Sequence, residues 1–147
     1  DMVAKGLPAL IEIKGATFCG SSDGNGNPLT MQNIPFYEEC QKFVVAINDE
    51  LNRRGLGYGL AAEHAHSCCF LIASNRFKKG NDWYTHIDYD KFYKLWKSGE
   101  NFTLMDYIDK TPDWAYFGSK EAGFSPEDTR WDRKAEKEKR KKQLLEA

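Results

Sequence analysis

Residues 10–15 alternate between apolar and charged side chains. Ile11 and Ile13 lie on one face of an extended chain, because successive side chains of a strand point in opposite directions. Glu12 and Lys14 lie on the other face. The segment therefore predicts a strand with one face against a core. Its charged face either lines a space that holds a polar molecule or lies at an exposed sheet edge with a cross-strand salt bridge, and the strand alone favours the edge.

The length and composition of the chain predict one domain with its own core. With 147 residues, of which 41% are hydrophobic and 14% aromatic, the chain can bury a core but is too short for a second full domain. The sequence has no apolar run long enough for a membrane span and no basic-then-apolar leader. We therefore expect a cytoplasmic protein without membrane association. Because it opens on Asp1 and enters a predicted strand within ten residues, the chain is typical of a fragment of a longer protein.

The four cysteines are Cys19, Cys40, Cys68 and Cys69. They form neither a CxxC pair nor a disulfide framework, and adjacent cysteines have poor geometry for bridging to each other. Reduced and mostly buried thiols are therefore expected.

The formal net charge of −1 hides a basic C-terminal tail. Residues 130–142 carry eight Lys or Arg against three acidic residues, whereas the body of the chain is acidic. Arg130, Arg133 and Lys134 suit the neutralisation of phosphates. Trp131 beside them can stack on a base, so these four residues are predicted to contact RNA. The alternative is a solvated charge run, because the interleaved acidic residues weaken the field.

Hydrophobic spacing predicts a long helix followed by two strands. Apolar residues, Phe43 among them, recur at steps of three and four after Pro35, so a helix begins there and ends before Gly55. Residues 58–63 and 68–73 follow as strands. The second of these strands is apolar on both faces, which indicates the interior of a sheet.

Shorter elements are predicted in the second half of the chain. Residues 83–87 form a strand, and the helix that follows is capped by Asp88 or Asp90 and ends at Gly99. Residues 103–110 predict another short helix with a capping box at its start. The side chains predicted to point inward from the first of these helices are Phe92, Leu95 and Trp96.

A cluster of polar residues lies between the two central strands. It contains Glu63, His64 and His66, and the two histidines share a face if the chain is extended. Three interpretations stay open: polar groups satisfied at a strand end, contacts with substrate or RNA, and a metal site. The metal site is considered because Cys68 and Cys69 lie close by, and imidazole, carboxylate and thiolate are all zinc ligands. The spacing matches no known zinc motif. Proton transfer is also chemically open to histidine, because its charge changes near neutral pH.

Longer stretches of the sequence resemble one enzyme family. The stretches are ALIEIKGATFCG, IPFYEECQKFV, YGLAAEHAHSCCFLIA, WYTHIDYDKF and TPDWAYFG, followed by GFSPEDTR. In this order and with similar gaps, they closely resemble the C-terminal part of the tRNA 4-demethylwyosine synthase family. This is the radical S-adenosylmethionine family of wybutosine biosynthesis.

The resemblance implies a parent enzyme that joins pyruvate carbons to the N1-methylguanosine next to the anticodon of phenylalanine tRNA. Its cofactors are a 4Fe–4S cluster and S-adenosylmethionine. The cluster motif CxxxCxxC has no counterpart in this sequence. We therefore expect the isolated chain to bind no cluster and to be inactive. The implied partners are pyruvate and the tRNA anticodon arm, and a monomer is expected.

An α/β fold divided into three parts is a further implication of the resemblance. Residues 1–30 are the last part of the partial radical S-adenosylmethionine (β/α) barrel, and residues 31–125 are the family-specific α+β wyosine-formation extension. Residues 126–147 are a basic flexible tail. On this view the charged row of the first strand faces the barrel lumen, and residues 63–66 match the family's E-H-x-H element. The residues predicted to be catalytic are Glu12, Lys14, Glu63, His64 and His66.

Two functions from other classes stay open. An autonomous tRNA-binding module predicts salt-dependent binding of tRNA by this chain alone, lost on deletion of residues 130–147. A lid or interaction domain predicts instead that an exposed sheet edge docks on another chain.

Overall fold

The computed structural model describes residues 1–18, 30–121 and 123. After the short helix α1 (Met2–Gly6), its central sheet has the strand order β1 (Leu10–Lys14), β3 (Cys69–Ser74) and β2 (Tyr58–His64). All pairs in this sheet are antiparallel. β3 lies between the other two strands, as its apolar faces predict. Helices and strands are mixed in one small fold, which confirms the α/β class in outline.

The long helix α2 (Tyr37–Arg53) packs on one face of this sheet. The Glu39 carboxylate accepts a hydrogen bond of 2.8 Å from the backbone N–H of Phe36, which closes the first turn of the helix. Val44 from α2 and Phe70 from β3 are fully buried, with exposures of 0%. The predicted long helix is therefore confirmed, together with its role in the core.

A second cluster packs on the opposite face, at one end of the sheet. Phe77 and Trp83 are buried there against Ala73, with Leu10 packed beside them. Gly59 is required at this point because a Cβ would lie 2.6 Å from the Trp83 ring. Among the described residues, this cluster covers the end of the face near Leu10 and does not reach the end near Lys14.

The predicted strand over residues 83–87 is wrong as a single element. Four strands of two residues form here: β4 (Lys78–Lys79), β5 (Asp82–Trp83), β6 (His86–Ile87) and β7 (Ile108–Asp109). β4 pairs with β5, and β6 pairs with β7. Between β5 and β6, the backbone N–H of Thr85 donates to the buried hydroxyl of Thr111 at 3.1 Å. This bond to a side chain takes the place of a backbone hydrogen bond between strands.

Helix α3 (Tyr89–Ser98) is confirmed with the predicted ends. The Asp88 carboxylate accepts from the backbone N–H of Lys91 at 2.9 Å, and Gly99 ends the helix with φ of 71°. The next predicted helix is shorter than expected: α4 (Leu104–Tyr107) has its capping box but ends where β7 begins. No helix in the described ranges is long and apolar enough to cross a bilayer.

Two side chains expected in the core are exposed. Phe43 of α2 is 59% exposed and Trp96 of α3 is 63% exposed. A period of three and four identifies an apolar stripe but not how much of the stripe the neighbouring elements cover. A sheet of three strands covers less of α2 than its apolar stripe offers.

The described residues show no barrel fragment. (β/α) barrels are built from parallel strands, whereas every strand pair in the described part of the chain is antiparallel. β1 also belongs to the same sheet as β2 and β3, which lie on the other side of the boundary predicted at residue 30. The division into residues 1–30, 31–125 and 126–147 stays a prediction.

Candidate functional site

The register of the central sheet brings two distant segments to one face. Cys69 of β3 pairs with Lys14 of β1 on one side and with His64 of β2 on the other. Directly paired residues of neighbouring strands point to the same face, so these three side chains share it. Glu12 joins them because it lies two residues from Lys14. We refer to Glu12, Lys14, His64 and Cys69 as the open face, because the Phe77 and Trp83 cluster leaves this end uncovered.

Glu12 is in direct contact with Cys69. The thiol donates a hydrogen bond to the Glu12 carboxylate over an Sγ–Oε1 distance of 3.4 Å. Burial and this bond to Glu12 raise the pKa of Cys69 to about 11, and the Lys14 ammonium opposes the shift. Cys69 is therefore a protonated hydrogen-bond donor at neutral pH and a poor nucleophile.

Glu12 and Lys14 are both exposed, and β1 is an edge strand of the described sheet. Their directly paired residues on β3 are Leu71 and Cys69, which carry no charge. Among the described residues, no salt bridge includes Glu12 or Lys14. The cross-strand salt bridge of the edge interpretation is therefore not formed in this part of the chain, and the two charges face the space in front of the sheet.

His64 is held at the end of β2. Its Nδ1 lies 2.7 Å from the Ser67 hydroxyl, and its ring meets the Trp114 ring edge to face with 6.2 Å between centroids. The His66 ring lies at the same centroid distance of 6.2 Å. Trp114 and His66 thus form a rim beside the open face.

An open groove of about 520 Å³ lies beside the open face. Lys14 and His66, which come from different elements, both line it. The other residues that line the groove are Gly15, Ala16, Thr17, Phe18, Met31, Ile34, Pro35, Ser67 and Cys68. The groove is therefore mostly apolar, with one ammonium and one imidazole that suit an anionic or polar ligand.

Glu63 lies on the other face of the sheet. It pairs with Phe70, and its carboxylate accepts from the Tyr37 hydroxyl at 2.8 Å and from the Gly118 N–H at 2.9 Å. Burial and the hydrogen bond to Glu63 raise the pKa of Tyr37 to about 12. Glu63 joins α2 and the segment around Gly118 to the sheet, and the structure does not bring it to the other four predicted catalytic residues.

The described residues do not fit a metal or an iron–sulfur cluster. Cys40, Cys68 and Cys69 are free thiols, and burial raises the pKa of Cys40 as well as that of Cys69. Iron–sulfur clusters are held by several cysteines, and the cluster motif CxxxCxxC has no counterpart in this sequence. Within residues 1–18, 30–121 and 123, no three His, Cys, Asp or Glu side chains are grouped to hold a metal ion. Glu63 also points away from the two histidines, against the zinc interpretation.

The predicted RNA-contact residues Arg130, Trp131, Arg133 and Lys134 lie outside the described residues, as does Cys19. Their role stays a prediction. The interpretation as an autonomous tRNA-binding module depends on the same tail and also stays untested.

Two contacts in the site were not predicted from the sequence. Cys69 lies on the same face of β3 as Leu71, within a run of apolar residues, so the sequence pattern did not indicate its contact with Glu12. Trp114 lies fifty positions beyond His64, and no local pattern predicts their ring contact. The first contact depends on strand register, and the second depends on how the short turn Asp113–Ala115 packs against β2.

Comparison with known proteins gives a family. Residues 5–74 match the family model described as wyosine base formation. Over this range, just under half of the chain, the sequence is similar to that family. The matched range contains β1, α2, β2 and β3, and with them all four residues of the open face.

Curated relatives of this wyosine base formation region extend the match along most of the chain. All three carry the name S-adenosyl-L-methionine-dependent tRNA 4-demethylwyosine synthase. The protein of Saccharomyces cerevisiae is 65% identical over 137 residues, 93% of this chain and 17% of that protein. The protein of Schizosaccharomyces pombe is 47% identical over 138 residues, which are 91% of this chain and 20% of that protein. The protein of Homo sapiens is 42% identical over 140 residues, which are 91% of this chain and 18% of that protein. The chain thus spans about a fifth of the length of these relatives. No solved structure is significantly similar to it.

Proposed function

We propose that this chain is the C-terminal part of a radical S-adenosylmethionine tRNA 4-demethylwyosine synthase, and that its open face closes one side of the reaction chamber. One observation supports this most directly: Glu12 and Lys14 are exposed on the face where His64 is held, at the end of the sheet that no cluster of described residues covers. The half of the sheet face near Leu10 is packed. A mostly apolar groove with a few polar groups, as Lys14 and His66 provide here, is typical of a ligand site.

The proposed reaction condenses N1-methylguanosine of phenylalanine tRNA with pyruvate. Pyruvate is a carboxylate, and the Lys14 ammonium beside the groove can attract and orient it. His64 and His66 each carry an imidazole, a group that can donate or accept a proton in general acid–base catalysis. In this proposal Lys14 binds the anionic substrate, and the histidines and Glu12 position it or transfer protons.

The 4Fe–4S cluster and S-adenosylmethionine of the proposed enzyme are held by residues outside this chain. The cluster motif CxxxCxxC has no counterpart in this sequence. Glu63 has a positioning role in the proposal, since its two hydrogen bonds hold α2 and the Gly118 segment against the sheet. The whole enzyme is proposed to act in the cytoplasm as a monomer.

A chimera tests this proposal. In Saccharomyces cerevisiae cells without their own synthase, the enzyme is supplied with its matching 137 residues replaced by this chain. Mass spectrometry of hydrolysed tRNA is expected to show 4-demethylwyosine or its later products, and none when the segment is deleted. A chimera that accumulates as a folded protein but forms no wyosine base would contradict the proposal.

A further inference from the structure

Helix α3 has two apolar stripes with different surroundings. Phe92 and Leu95 are half-buried, and the Phe92 ring meets the Phe102 and Tyr107 rings at centroid distances of 5.6 and 5.1 Å. This stripe attaches the helix to the body of the protein. The other stripe faces solvent.

The exposed stripe contains Tyr89, Tyr93 and Trp96. These residues are spaced by four and three positions, so they lie within about 60° of one another around the helix. Their exposures are 63%, 55% and 63%. Single exposed aromatic residues are common, but three in a row form a patch of the kind that marks an interaction site.

Helix α3 carries more basic than acidic side chains. Of the ten residues of α3, Lys91, Lys94 and Lys97 are basic and Asp90 is acidic. Lys97 follows Tyr93 by four positions and therefore borders the aromatic stripe directly. Exposed aromatic rings beside lysines are suited to a ligand that has flat rings and negative charge.

We propose that Tyr89, Tyr93 and Trp96 form a stacking surface for unpaired nucleotides of an RNA loop, with Lys94 and Lys97 as phosphate contacts. The inference rests on the proposed function, in which the substrate is an RNA. The Cα atoms of successive aromatic residues lie about 6 and 4.5 Å apart along the helix axis, so separate bases can meet separate rings. Unpaired bases expose the faces that such rings stack on, whereas a paired RNA helix keeps them covered. The surface therefore selects loops over duplexes.

Binding of labelled RNA by the full 147-residue chain tests the surface, with fluorescence anisotropy as the readout. The probes are a hairpin with an unpaired loop and a fully paired RNA of equal length. The loop RNA is expected to bind more tightly. Trp96→Ala and Tyr93→Ala are each expected to weaken its binding roughly tenfold, while Trp96→Phe keeps most of the affinity. Lys97→Met is expected to reduce the slope of log K against log salt by about 0.7.

Phe43→Ala is the matched control, because Phe43 is a similarly exposed aromatic residue on a different helix. It is expected to leave RNA affinity unchanged, and thermal unfolding checks that every variant is folded. The inference is overturned if the unchanged chain does not bind the loop RNA, if it binds both probes equally, or if Trp96→Ala and Tyr93→Ala bind like the unchanged chain. It is also overturned if these variants abolish self-association instead, which would assign the stripe to a second copy of the chain.

The synthase chimera separates this inference from the proposed function. An inactive chimera whose fragment still binds loop RNA through Trp96 would refute the proposed function and keep the stacking surface. An active chimera whose fragment binds RNA equally with and without Trp96 would keep the proposed function and refute the stacking surface.

Discussion

Replacement of Glu63 by alanine is expected to destabilise the fold by about 2–4 kcal/mol. The Glu63 carboxylate accepts two hydrogen bonds, of 2.8 Å from Tyr37 and 2.9 Å from Gly118. A hydrogen bond to a charged group contributes about 1.5–3 kcal/mol, so two such bonds contribute about 3–6 kcal/mol when both are buried. The bond from Gly118 is exposed, which lowers the expected sum to about 2–4 kcal/mol. Glu63→Gln keeps one acceptor oxygen and is expected to cost about half as much as alanine.

Urea unfolding followed by far-UV circular dichroism measures these changes. Glu100→Ala removes an exposed carboxylate after α3 and is the control, with an expected change within about 0.5 kcal/mol. Tyr37→Phe combined with Glu63→Ala completes a double-mutant cycle, with an expected coupling of about 1–2 kcal/mol. A loss below about 0.5 kcal/mol for Glu63→Ala, or no coupling with Tyr37, would refute the joining role of Glu63 and return it to the candidate catalytic residues.

The hydrogen bond between Tyr37 and Glu63 predicts that the folded protein loses stability at alkaline pH. Tyr37 has its pKa raised from 10.0 to about 12 by burial and by its bond to Glu63. Between these values the unfolded chain releases the phenol proton while the folded chain retains it, so the contribution is complete below pH 10 and is lost as pH rises toward 12. Tyr37→Phe is expected to reduce this loss in urea titrations across that range, and an unchanged pH profile would contradict the assignment.

Three further substitutions test other parts of the structure. Glu12→Gln is expected to lower the pKa of Cys69 and to speed its alkylation by iodoacetamide, which tandem mass spectrometry of the labelled peptide follows; an unchanged rate would argue against their contact. Asp88→Ala removes the cap of α3 and is expected to cost about 1 kcal/mol in urea unfolding, with no change if the cap is absent. Gly59→Ala places a methyl group 2.6 Å from the Trp83 ring and is expected to cost about 1–3 kcal/mol, whereas a stabilised variant would refute that packing.

Local sequence patterns predicted the elements whose signals are local. The spacing after Pro35 gave α2, and the capping residues Asp88 and Gly99 gave both ends of α3. The run over residues 68–73 is apolar on both faces and correctly indicated an interior strand. Each of these signals is contained within one element, so no knowledge of neighbouring elements is needed.

Features that depend on distant partners were not predictable in this way. The strand expected over residues 83–87 is divided because Thr111, far along the chain, takes the hydrogen bond of Thr85. Glu63 and His64 were grouped because they are adjacent, but adjacent strand residues point to opposite faces. The quoted stretches indicated the family correctly, although they contain no information on which side chains face one another.

The central claim is that the exposed charges of Glu12 and Lys14 act on substrate in the proposed synthase. The most direct measurement is the wyosine-base content of tRNA from cells that carry the chimera with Lys14→Met, compared with Lys42→Met on the exposed side of α2. We expect Lys14→Met to lower this content roughly thirtyfold or more, since a lost charge contact with a bound anion costs about 2–5 kcal/mol, and Lys42→Met to leave it unchanged. Equal wyosine content in the two variants, at equal protein level, would contradict the claim.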